Sequence, residues 1–362
     1  MKTIVIGTST FGYPVSDYFK ELGASFSEKG YKVIYILDGK VKNLPQNTQK
    51  LLYFTWPNRR PTQLKDFVFF YKMIKKYKPS ICISNFGSTN VIAIISYLWR
   101  VKYRINYVHT TSKAIENDSK NLLKSKYLRF RKRFVYNLFT HFFTNSEGTK
   151  TDVQEVFHVN DDKTHVLPLL VESSKINYVD KNNRNNTLVI VGGLTPTKGH
   201  LQLLNQFSNC LEKHPYLKLK IIGNGYLKNE IEEKIVTLKL QNSVHIIGRL
   251  SNKNVQIEFS KAMFSISSSI DEAYGLVNIE ALREGTPLIC TKTAGSLDIL
   301  KEGYNGEYYN IDNNFALCAS VSKVWNDWEN YSKNSLASFS NAYLMDTNVS
   351  KHLDKIINIL KL

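Results

Sequence analysis

The sequence predicts an α/β protein of two Rossmann-like parallel-sheet lobes that face a central cleft. Its 362 residues suffice for two domains of ordinary size, and 43% of them are hydrophobic, which is enough for two cores. Short apolar runs alternate with amphipathic stretches in both halves, a pattern typical of parallel strands covered by helices. Ligands of such sheets bind beyond the carboxyl ends of the strands, so the loops at those ends are the first places to look for a site.

Residues 1–170 are predicted to form the first lobe. Predicted strands span 3–7, 32–37, 51–54, 81–84, 104–108, 142–145 and 165–167, and predicted helices span 16–29, 63–76, a stretch ending at 99, and 147–157. Gly12 follows the first strand and His109 follows the strand 104–108, so both lie where ligands meet such sheets. A glycine there also suits a plain turn, and a lone histidine is more often structural, so both interpretations stay open.

Positive charge is concentrated in this first lobe. Of the net charge of +17, residues 1–170 supply 27 Lys and Arg against 12 Asp and Glu, whereas residues 171–362 supply 21 against 19. In the run 121–143 basic and aromatic residues interleave. They are Lys124, Lys126, Arg129, Arg131, Lys132 and Arg133 with Tyr127, Phe130, Phe134, Tyr136, Phe139, Phe142 and Phe143.

A basic helix over 121–143 has two structural interpretations. It can lie in an anionic membrane interface, where each cation contributes on the order of 1 kcal/mol. It can equally be a solvated basic face whose aromatic residues turn into the core. No nucleic-acid-binding motif accompanies the charge, so a nucleic-acid partner is not expected.

Residues 171–345 are predicted to form the second lobe, and residues 346–362 a terminal helix. The polar run 180–186 is expected to be an exposed linker before the strand 187–191. Further strands are predicted at 217–222 and 244–247.

Two loops of the second lobe have the composition of ligand-binding loops. Gly192 and Gly193 follow the strand 187–191, and Lys198 precedes the next helix. Backbone N–H groups and a lysine in that arrangement can hold a diphosphate. Gly248 and Arg249 follow the strand 244–247 and repeat the pattern more weakly.

A strand–loop–helix–strand pattern over 267–298 carries most of the candidate site residues. Glu272 precedes the helix, and Glu280 lies eight positions later, inside it. The loop and first helical turn between them include Tyr274, Gly275, Leu276 and Val277. The free N–H groups of a helix start favour negative charge, and two carboxylates beside them can accept hydrogen bonds from the hydroxyls of a nucleotide sugar. The alternative is an ordinary loop with solvated glutamates.

This segment resembles the Glu-x7-Glu signature of the retaining glycosyltransferases of family 4, which have the two-lobed GT-B fold. The resemblance lies in EAYGLV at 272–277, EAL at 280–282 and GTPLI at 285–289. It is strong over 188–306 and weak before that. It implies that the last helix crosses back onto the first lobe.

The resemblance also implies roles for single residues. Glu272 is expected to accept hydrogen bonds from the hydroxyls of the donor sugar, Glu280 from its ribose, and His109 to contact the sugar near the reacting carbon. Lys198 and the amides of Tyr274, Gly275 and Leu276 would stabilise the departing diphosphate. Further residues expected at the donor site are Gly12, Gly192, Gly193, Gly248, Arg249 and Val277.

The chain departs from the family pattern in two places. Gly193 stands where the family has an arginine that binds the donor's phosphates, and PLLVE at 168–172 stands where the family has Pro-Asn-Gly-Val-Asp. One phosphate-binding cation is therefore missing, for which Arg283 or Arg249 is a candidate substitute.

The expected function is retaining transfer of a hexosyl or N-acetylhexosaminyl group from a nucleotide-diphosphate sugar, with UDP as the expected nucleotide. The acceptor would be a glycan or lipid-linked glycan in bacterial surface polysaccharide synthesis. The alternative is a non-catalytic nucleotide-sugar-binding module or accessory subunit. A dinucleotide oxidoreductase is disfavoured, because Gly7 to Gly12 does not supply the Gly-x-Gly-x-x-Gly pattern. The sequence leaves the sugar, the acceptor, the linkage and the oligomeric state open.

Neither a cofactor nor a metal is expected. The chain has no Asp-x-Asp triplet, and its four scattered cysteines suit small core residues. The first residues suit a strand and not a signal peptide. A cytoplasmic location is therefore expected, with peripheral contact to the inner face of the plasma membrane.

Overall fold

A computed structural model of the chain describes residues 2–38, 44–113, 122–175 and 178–362, with the backbone alone at 122–125. It divides into two compact units. Lobe one comprises Met1–Leu170 and Met345–Leu362, and lobe two comprises Val171–Leu344. Each unit is a parallel sheet with covering helices, so the predicted α/β class with two Rossmann-like sheets is confirmed.

Lobe one is built on a seven-stranded parallel sheet in the order β3-β2-β1-β4-β5-β6-β7. Its strands are β1 (Thr3–Thr8), β2 (Lys32–Leu37), β3 (Leu51–Thr55), β4 (Ile81–Ser84), β5 (Tyr103–Val108), β6 (His141–Thr144) and β7 (Thr164–Val166). Its first helices are α1 (Pro14–Glu28), α2 (Leu64–Tyr77), α3 (Thr89–Leu98), α4 (Leu122–Tyr136) and α5 (Glu147–Phe157). The strands β1 and β4 are buried along their whole length, as expected where helices cover both faces of a parallel sheet.

Lobe two is built on a six-stranded parallel sheet in the order β10-β9-β8-β11-β12-β13. Its strands are β8 (Asn185–Val191), β9 (Lys218–Ile222), β10 (Val244–Gly248), β11 (Ala262–Ser267), β12 (Leu288–Cys290) and β13 (Gly306–Tyr308). Its helices are α6 (His200–Lys213), α7 (Lys228–Thr237), α8 (Asn252–Lys261), α9 (Leu276–Arg283), α10 (Ala294–Ile299), α11 (Ala316–Asn326) and α12 (Trp328–Ala342). From β8 the chain builds outward to β10 and then returns to β11 on the other side of β8, which creates a topological switch point between β8 and β11.

The terminal helix α13 (Met345–Leu360) belongs to lobe one, although lobe two precedes it in sequence. It packs on α1, where the Tyr18 hydroxyl and His352 Nδ1 are 3.1 Å apart and hydrogen-bonded. Lys355 also donates to the backbone oxygen of Val166 at 2.9 Å. The chain therefore closes lobe one with its last helix.

The basic helix expected over 121–143 is too long. Helix α4 ends at Tyr136 and β6 begins at His141, while residue 121 lies outside the described residues. Phe142 and Phe143 are each 1% exposed, and β6 pairs with both β5 and β7. The last aromatic residues of the run thus belong to β6, because burying their side chains in a parallel strand is more favourable than extending the helix.

The polar run 180–186 is exposed at five of its seven residues, as expected of a linker, and Arg184 is its one buried residue. Asn185 already belongs to β8, and Arg184 is only 6% exposed. The Arg184 guanidinium donates to the backbone oxygens of Ala262 at 2.9 Å and Glu284 at 2.6 Å, and to the Thr286 hydroxyl at 2.8 Å. Arginine offers five donors, so one side chain can satisfy several backbone carbonyls at the ends of neighbouring strands and helices.

Candidate functional site

The switch point of lobe two brings two predicted loops together. The loop 192–199 follows β8, and the loop 268–275 follows β11. These strands pair in parallel, with Phe264 opposite Leu188 and Ser265 opposite Val189. Both loops therefore leave the same edge of the sheet, at the position where open α/β sheets bind their ligands.

Two glycines allow the loops to approach each other and turn. Gly199 has a φ of +63°, and a Cβ built on it would lie 2.1 Å from the backbone oxygen of Ser268. Gly275, immediately before α9, has a φ of +88°, which residues with side chains rarely adopt. Ser268 Oγ donates to the backbone oxygen of Lys198 at 2.6 Å. The loop that carries Lys198 is thereby fixed against the loop that leads into α9.

Lys198 and Glu272, one from each loop, form an ion pair. Lys198 Nζ lies 2.5 Å from Glu272 Oε2, and the two side chains are 27% and 23% exposed. These two predicted site residues thus neutralise each other. The recess among them and their neighbours measures only about 20 Å³, which is room for about one water and far too little for a sugar. A sugar can enter this recess only if the ion pair separates.

The first turn of α9 supplies the predicted backbone donors. Tyr274 is buried at 3% exposure and Gly275 has no side chain to cap the helix. Of the predicted donors Tyr274, Gly275 and Leu276, Leu276 is the one that lies in α9. Its amide and that of Val277 are among the leading N–H groups that have no acceptor within the helix and that a helix start offers to an anion.

Glu280 lies one turn into α9 and is half-buried. Its pKa is raised, first by burial and also by neighbouring Glu284, while Arg283 acts in the opposite direction. Within the described part of the chain no side chain pairs with its carboxylate. Glu280 is therefore available to accept hydrogen bonds from a ligand.

Of the two arginines considered as substitutes for the missing cation, Arg283 already forms an ion pair with Glu284. Its Nε lies 2.8 Å from Glu284 Oε1, and the pair is almost fully buried. Arg249 follows β10 and is exposed. Around Gly193 a Cβ would meet only ordinary contacts, 3.7 Å from Thr195 Cγ2 and 3.9 Å from the backbone oxygen of Asn224. At the position where the resembled family has an arginine, a Cβ therefore meets no clash.

A second recess beside the ion pair was not predicted from the sequence. It has a volume of about 460 Å³ and is lined by residues that follow β11, β12 and β13. Lys292, two residues beyond β12, contributes a cation whose Nζ lies 5.2 Å from the centre of the Tyr308 ring. Lys198 was identified as a candidate because it follows the carboxyl end of a strand. The same reasoning applied to β12 would have identified Lys292.

In lobe one, Gly12 has the geometry of a turn residue. Its φ is +99°, and its N–H donates to Asp17 Oδ1 at 2.8 Å, within the first turn of α1. The structure thus gives Gly12 a local role in the β1–α1 turn. Its predicted contact with a donor stays a prediction.

His109 is held between two aromatic rings at the end of β5. Its ring stacks on Phe86 at 4.6 Å and on Tyr107 at 4.8 Å. Among the described residues neither ring nitrogen has a hydrogen-bond partner. Burial lowers the pKa of His109 to about 3, so the imidazole is neutral near pH 7. It can donate or accept one hydrogen bond but does not carry a charge.

His109 also lines a cavity of lobe one, whose volume is about 320 Å³. The opposite wall is α4, which contributes Arg131 and Lys132. Burial lowers the pKa of Lys132 to about 8, with Asp152 acting against that shift. An anion bound in this cavity would favour the charged form of Lys132, so the wall suits a negatively charged ligand.

The outer face of α4 is apolar and exposed. Tyr127, Phe130 and Phe134 are 62%, 73% and 60% exposed. At about 100° per residue the three fall on one side of the helix, with Arg131 between them and the cavity wall. We call these three residues the α4 aromatic stripe. Among the described residues no helix is long and apolar enough to span a membrane.

Two protein-family models match adjoining parts of the chain. Residues 173–339 match "Glycosyl transferases group 1", and residues 15–175 match "Glycosyltransferase Family 4". The two matches meet at the boundary between lobes one and two.

Individual relatives and solved structures point the same way. The chain is 25% identical to an uncharacterized glycosyltransferase of Methanocaldococcus jannaschii, MJ1059, over 67% of the chain and 64% of that protein. It is 24% identical, over 83% of the chain and 79% of the relative, to a Campylobacter jejuni α-1,4-N-acetyl-D-galactosaminyltransferase whose name specifies a diphospho-undecaprenol-linked acceptor. The chain spans 64%, 50% and 27% of the length of the first three curated relatives. In structure it is similar to Anabaena Alr3699/HepE in complex with UDP and glucose, with a TM-score of 0.75, 15% identity and full coverage of both chains.

Proposed function

We propose that the chain transfers a sugar from a nucleotide-diphosphate donor. The premise is that it belongs to the glycosyltransferases of the GT-B fold, since its second half matches the group 1 model and its first half matches the family 4 model. The observation that carries the proposal is the Lys198–Glu272 ion pair at the switch point of lobe two, beside the start of α9. A cation, a carboxylate and free helix amides together match a ligand with a diphosphate at one end and hydroxyls at the other.

Donor binding exchanges the partners of this ion pair. The diphosphate takes Lys198, and the hydroxyls of the sugar donate to Glu272. Each charged group keeps a partner of suitable chemistry, so opening the recess does not leave a half-buried charge unpaired. The leading amides of α9 add donors at the position where charge develops on the leaving phosphate.

The rest of lobe two suits the nucleoside. Glu280 accepts from the ribose hydroxyls, since its carboxylate is half-buried and unpaired within the described chain. We propose UDP as the nucleotide and retention of the anomeric configuration. The UDP complex of a protein with the same fold supports the first assignment. The Glu-x7-Glu pattern of this chain supports the second.

We propose that lobe one holds a glycan or lipid-linked acceptor for polysaccharide synthesis. Its cavity places Lys132 and Arg131 opposite the neutral His109, and the α4 aromatic stripe lies beside Arg131. An acceptor with an anionic group and an apolar chain would find a cation and an apolar surface on one helix. The same surface would hold the protein at the inner face of an anionic membrane.

The donor proposal is tested by calorimetry with a panel of UDP- and GDP-linked hexoses and N-acetylhexosamines, followed by assays of nucleoside diphosphate release. We expect one nucleotide class to bind, and its nucleoside diphosphate to be released as the sugar passes to an acceptor hydroxyl or to water. A chain that binds none of the panel contradicts the proposal.

A second candidate is a nucleotide-sugar-binding module without turnover. Gly193 favours it, because the phosphate site has one cation fewer than the family pattern. Binding of a donor without release of nucleoside diphosphate, under all acceptor conditions tried, would identify this alternative.

A further inference from the structure

Three side chains with metal-ligating atoms meet between α6 and α11, away from the ion pair. Cys210 and His214 lie four residues apart at the end of α6, and Cys318 lies in the first turn of α11. One ring nitrogen of His214 and the two Sγ atoms are all within 4.8 Å of one another. Cys210 is fully buried, whereas the other two are half-buried and so remain within reach of solvent.

The packing of the two helices fixes this arrangement. Gln206, one turn before Cys210, donates to the backbone oxygens of Asn310 at 2.9 Å and Ile311 at 2.6 Å. Its amide oxygen accepts from the N–H of Leu317 at 3.1 Å. A fully buried glutamine therefore sets the start of α11 against α6, and Cys318 follows directly after Leu317.

The imidazole of His214 is oriented by its neighbours. Its Nε2 and Ser322 Oγ are hydrogen-bonded at 2.8 Å, and Ser322 Oγ donates to the backbone oxygen of Cys318 at 2.8 Å. The ring also stacks on Trp325 at 5.7 Å. Such supporting contacts are what hold a histidine in place for a metal.

We propose that Cys210, His214 and Cys318 bind one zinc ion, with solvent in the fourth position. Binding releases the two thiol protons, and the two thiolates then balance the charge of Zn²⁺. Tetrahedral bonds of about 2.0 to 2.3 Å place ligand atoms roughly 3.3 to 3.8 Å apart, so the three groups need to close by about 1 Å. Thiolate sulfur favours zinc over magnesium or calcium.

The site serves to tie two helices together and takes no part in sugar transfer. Lys198 precedes the first residue of α6, whereas Cys210 and His214 lie at its other end, about 20 Å away at 1.5 Å per residue. The metal would cross-link α6 to α11 and stabilise lobe two. The inference therefore does not depend on the proposed function.

Cobalt is the probe, because Co²⁺ occupies zinc sites and absorbs visibly when bound tetrahedrally. The full-length reduced and chelator-treated protein is titrated with Co²⁺. We expect one equivalent to give thiolate charge-transfer and visible bands, which zinc then abolishes. Cys318→Ser and His214→Gln should lose the charge-transfer band or bind at least about 10-fold more weakly, in line with the loss of one ligand.

Cys82→Ala, a buried cysteine of lobe one, is the matched control and should bind cobalt like the wild type. Circular dichroism of each variant checks that it folds. Zinc should also raise the melting temperature of the wild type and of Cys82→Ala but not of Cys318→Ser. The proposal is overturned if no stoichiometric cobalt band forms, or if the band survives unchanged in folded Cys318→Ser.

Discussion

Arg184 shows how strongly lobe two depends on one buried cation. Its guanidinium donates to four backbone oxygens, those of Val179, Phe259, Ala262 and Glu284, and to the Thr286 hydroxyl, and it lies 4.9 Å from the ring of Trp328. Burial lowers its pKa to about 10, which still leaves it charged at neutral pH.

Arg184→Met should lower the free energy of unfolding by about 3 to 5 kcal/mol, because it leaves several buried acceptors without donors. Urea unfolding followed by tryptophan fluorescence measures this loss. Exposed Arg249→Met is the control and should stay within about 0.5 kcal/mol of the wild type. If the free energy of unfolding falls no further in Arg184→Met than in the control, the hydrogen bonds of Arg184 do not stabilise lobe two.

Gly193 stands where the family pattern that the sequence resembles has an arginine. Because a side chain there meets only ordinary contacts, Gly193→Arg should fold normally and bind the donor's diphosphate more tightly, by roughly 10-fold for one charge-assisted contact. Calorimetry with UDP compares the variant with Gly193→Gln, which adds bulk without charge. Equal affinity in the two variants would mean that position 193 does not face the phosphates.

At the scale of elements, α4 combines a cavity wall with an exposed apolar face. Replacing all three residues of the α4 aromatic stripe by serine should reduce binding to anionic phosphatidylglycerol vesicles several-fold, because the apolar area that enters the interface is lost. Vesicle flotation measures the bound fraction.

The matched control replaces three equally exposed aromatic residues of lobe two, Tyr216, Tyr226 and Phe315, which are 80%, 75% and 70% exposed. If both triple variants bind vesicles like the wild type, α4 does not contact the membrane.

Elements with a strong pattern could be predicted from the sequence, and elements set by tertiary contacts could not. The mostly apolar strands β1 and β4 were recognised because parallel strands bury both faces. Helix α12 was missed, since its serine- and asparagine-rich sequence has low helix propensity, and its formation depends on packing of residues such as Trp328 and Phe339.

The candidate site was predictable as a set of loops but not as a set of contacts. Strand ends, glycines and the two glutamates indicated where a ligand would bind. The sequence could not show that Lys198 and Glu272 pair with each other, because that contact depends on the switch point between β8 and β11. Nor could it bring Cys318 to Cys210, 108 residues earlier, since only the packing of α11 on α6 does so.

At the scale of the whole molecule, buried histidines limit stability in acid. Burial lowers the pKa of His109 to about 3 and those of His200 and His352 to about 4, whereas the unfolded value is near 6.5. Above pH 6.5 both states are neutral and nothing is lost. Below pH 6.5 these histidines bind protons in the unfolded state but not in the folded state, so the free energy of unfolding falls as the pH is lowered. The fall ends near pH 4 for His200 and His352 and near pH 3 for His109.

Each of these histidines should lower the free energy of unfolding by about 1 to 2 kcal/mol at pH 5 relative to pH 7.5. Urea unfolding at the two pH values measures the difference. In His200→Gln the difference should be smaller by that amount, with exposed His245→Gln as the control. An unchanged pH dependence in His200→Gln would show that His200 accepts a proton in the folded state.

The central claim is that the Lys198–Glu272 pair opens to receive a nucleotide sugar, and matched lysine variants test it most directly. The Lys220–Glu258 pair of the same lobe has nearly the same distance, 2.7 Å, and the same exposure, 26% and 23%. For the donor selected by the calorimetry panel, Lys198→Met should reduce the rate of nucleoside diphosphate release by about 100-fold or more, while Lys220→Met should stay near the wild-type rate. Equal rates in these two folded variants would contradict the account.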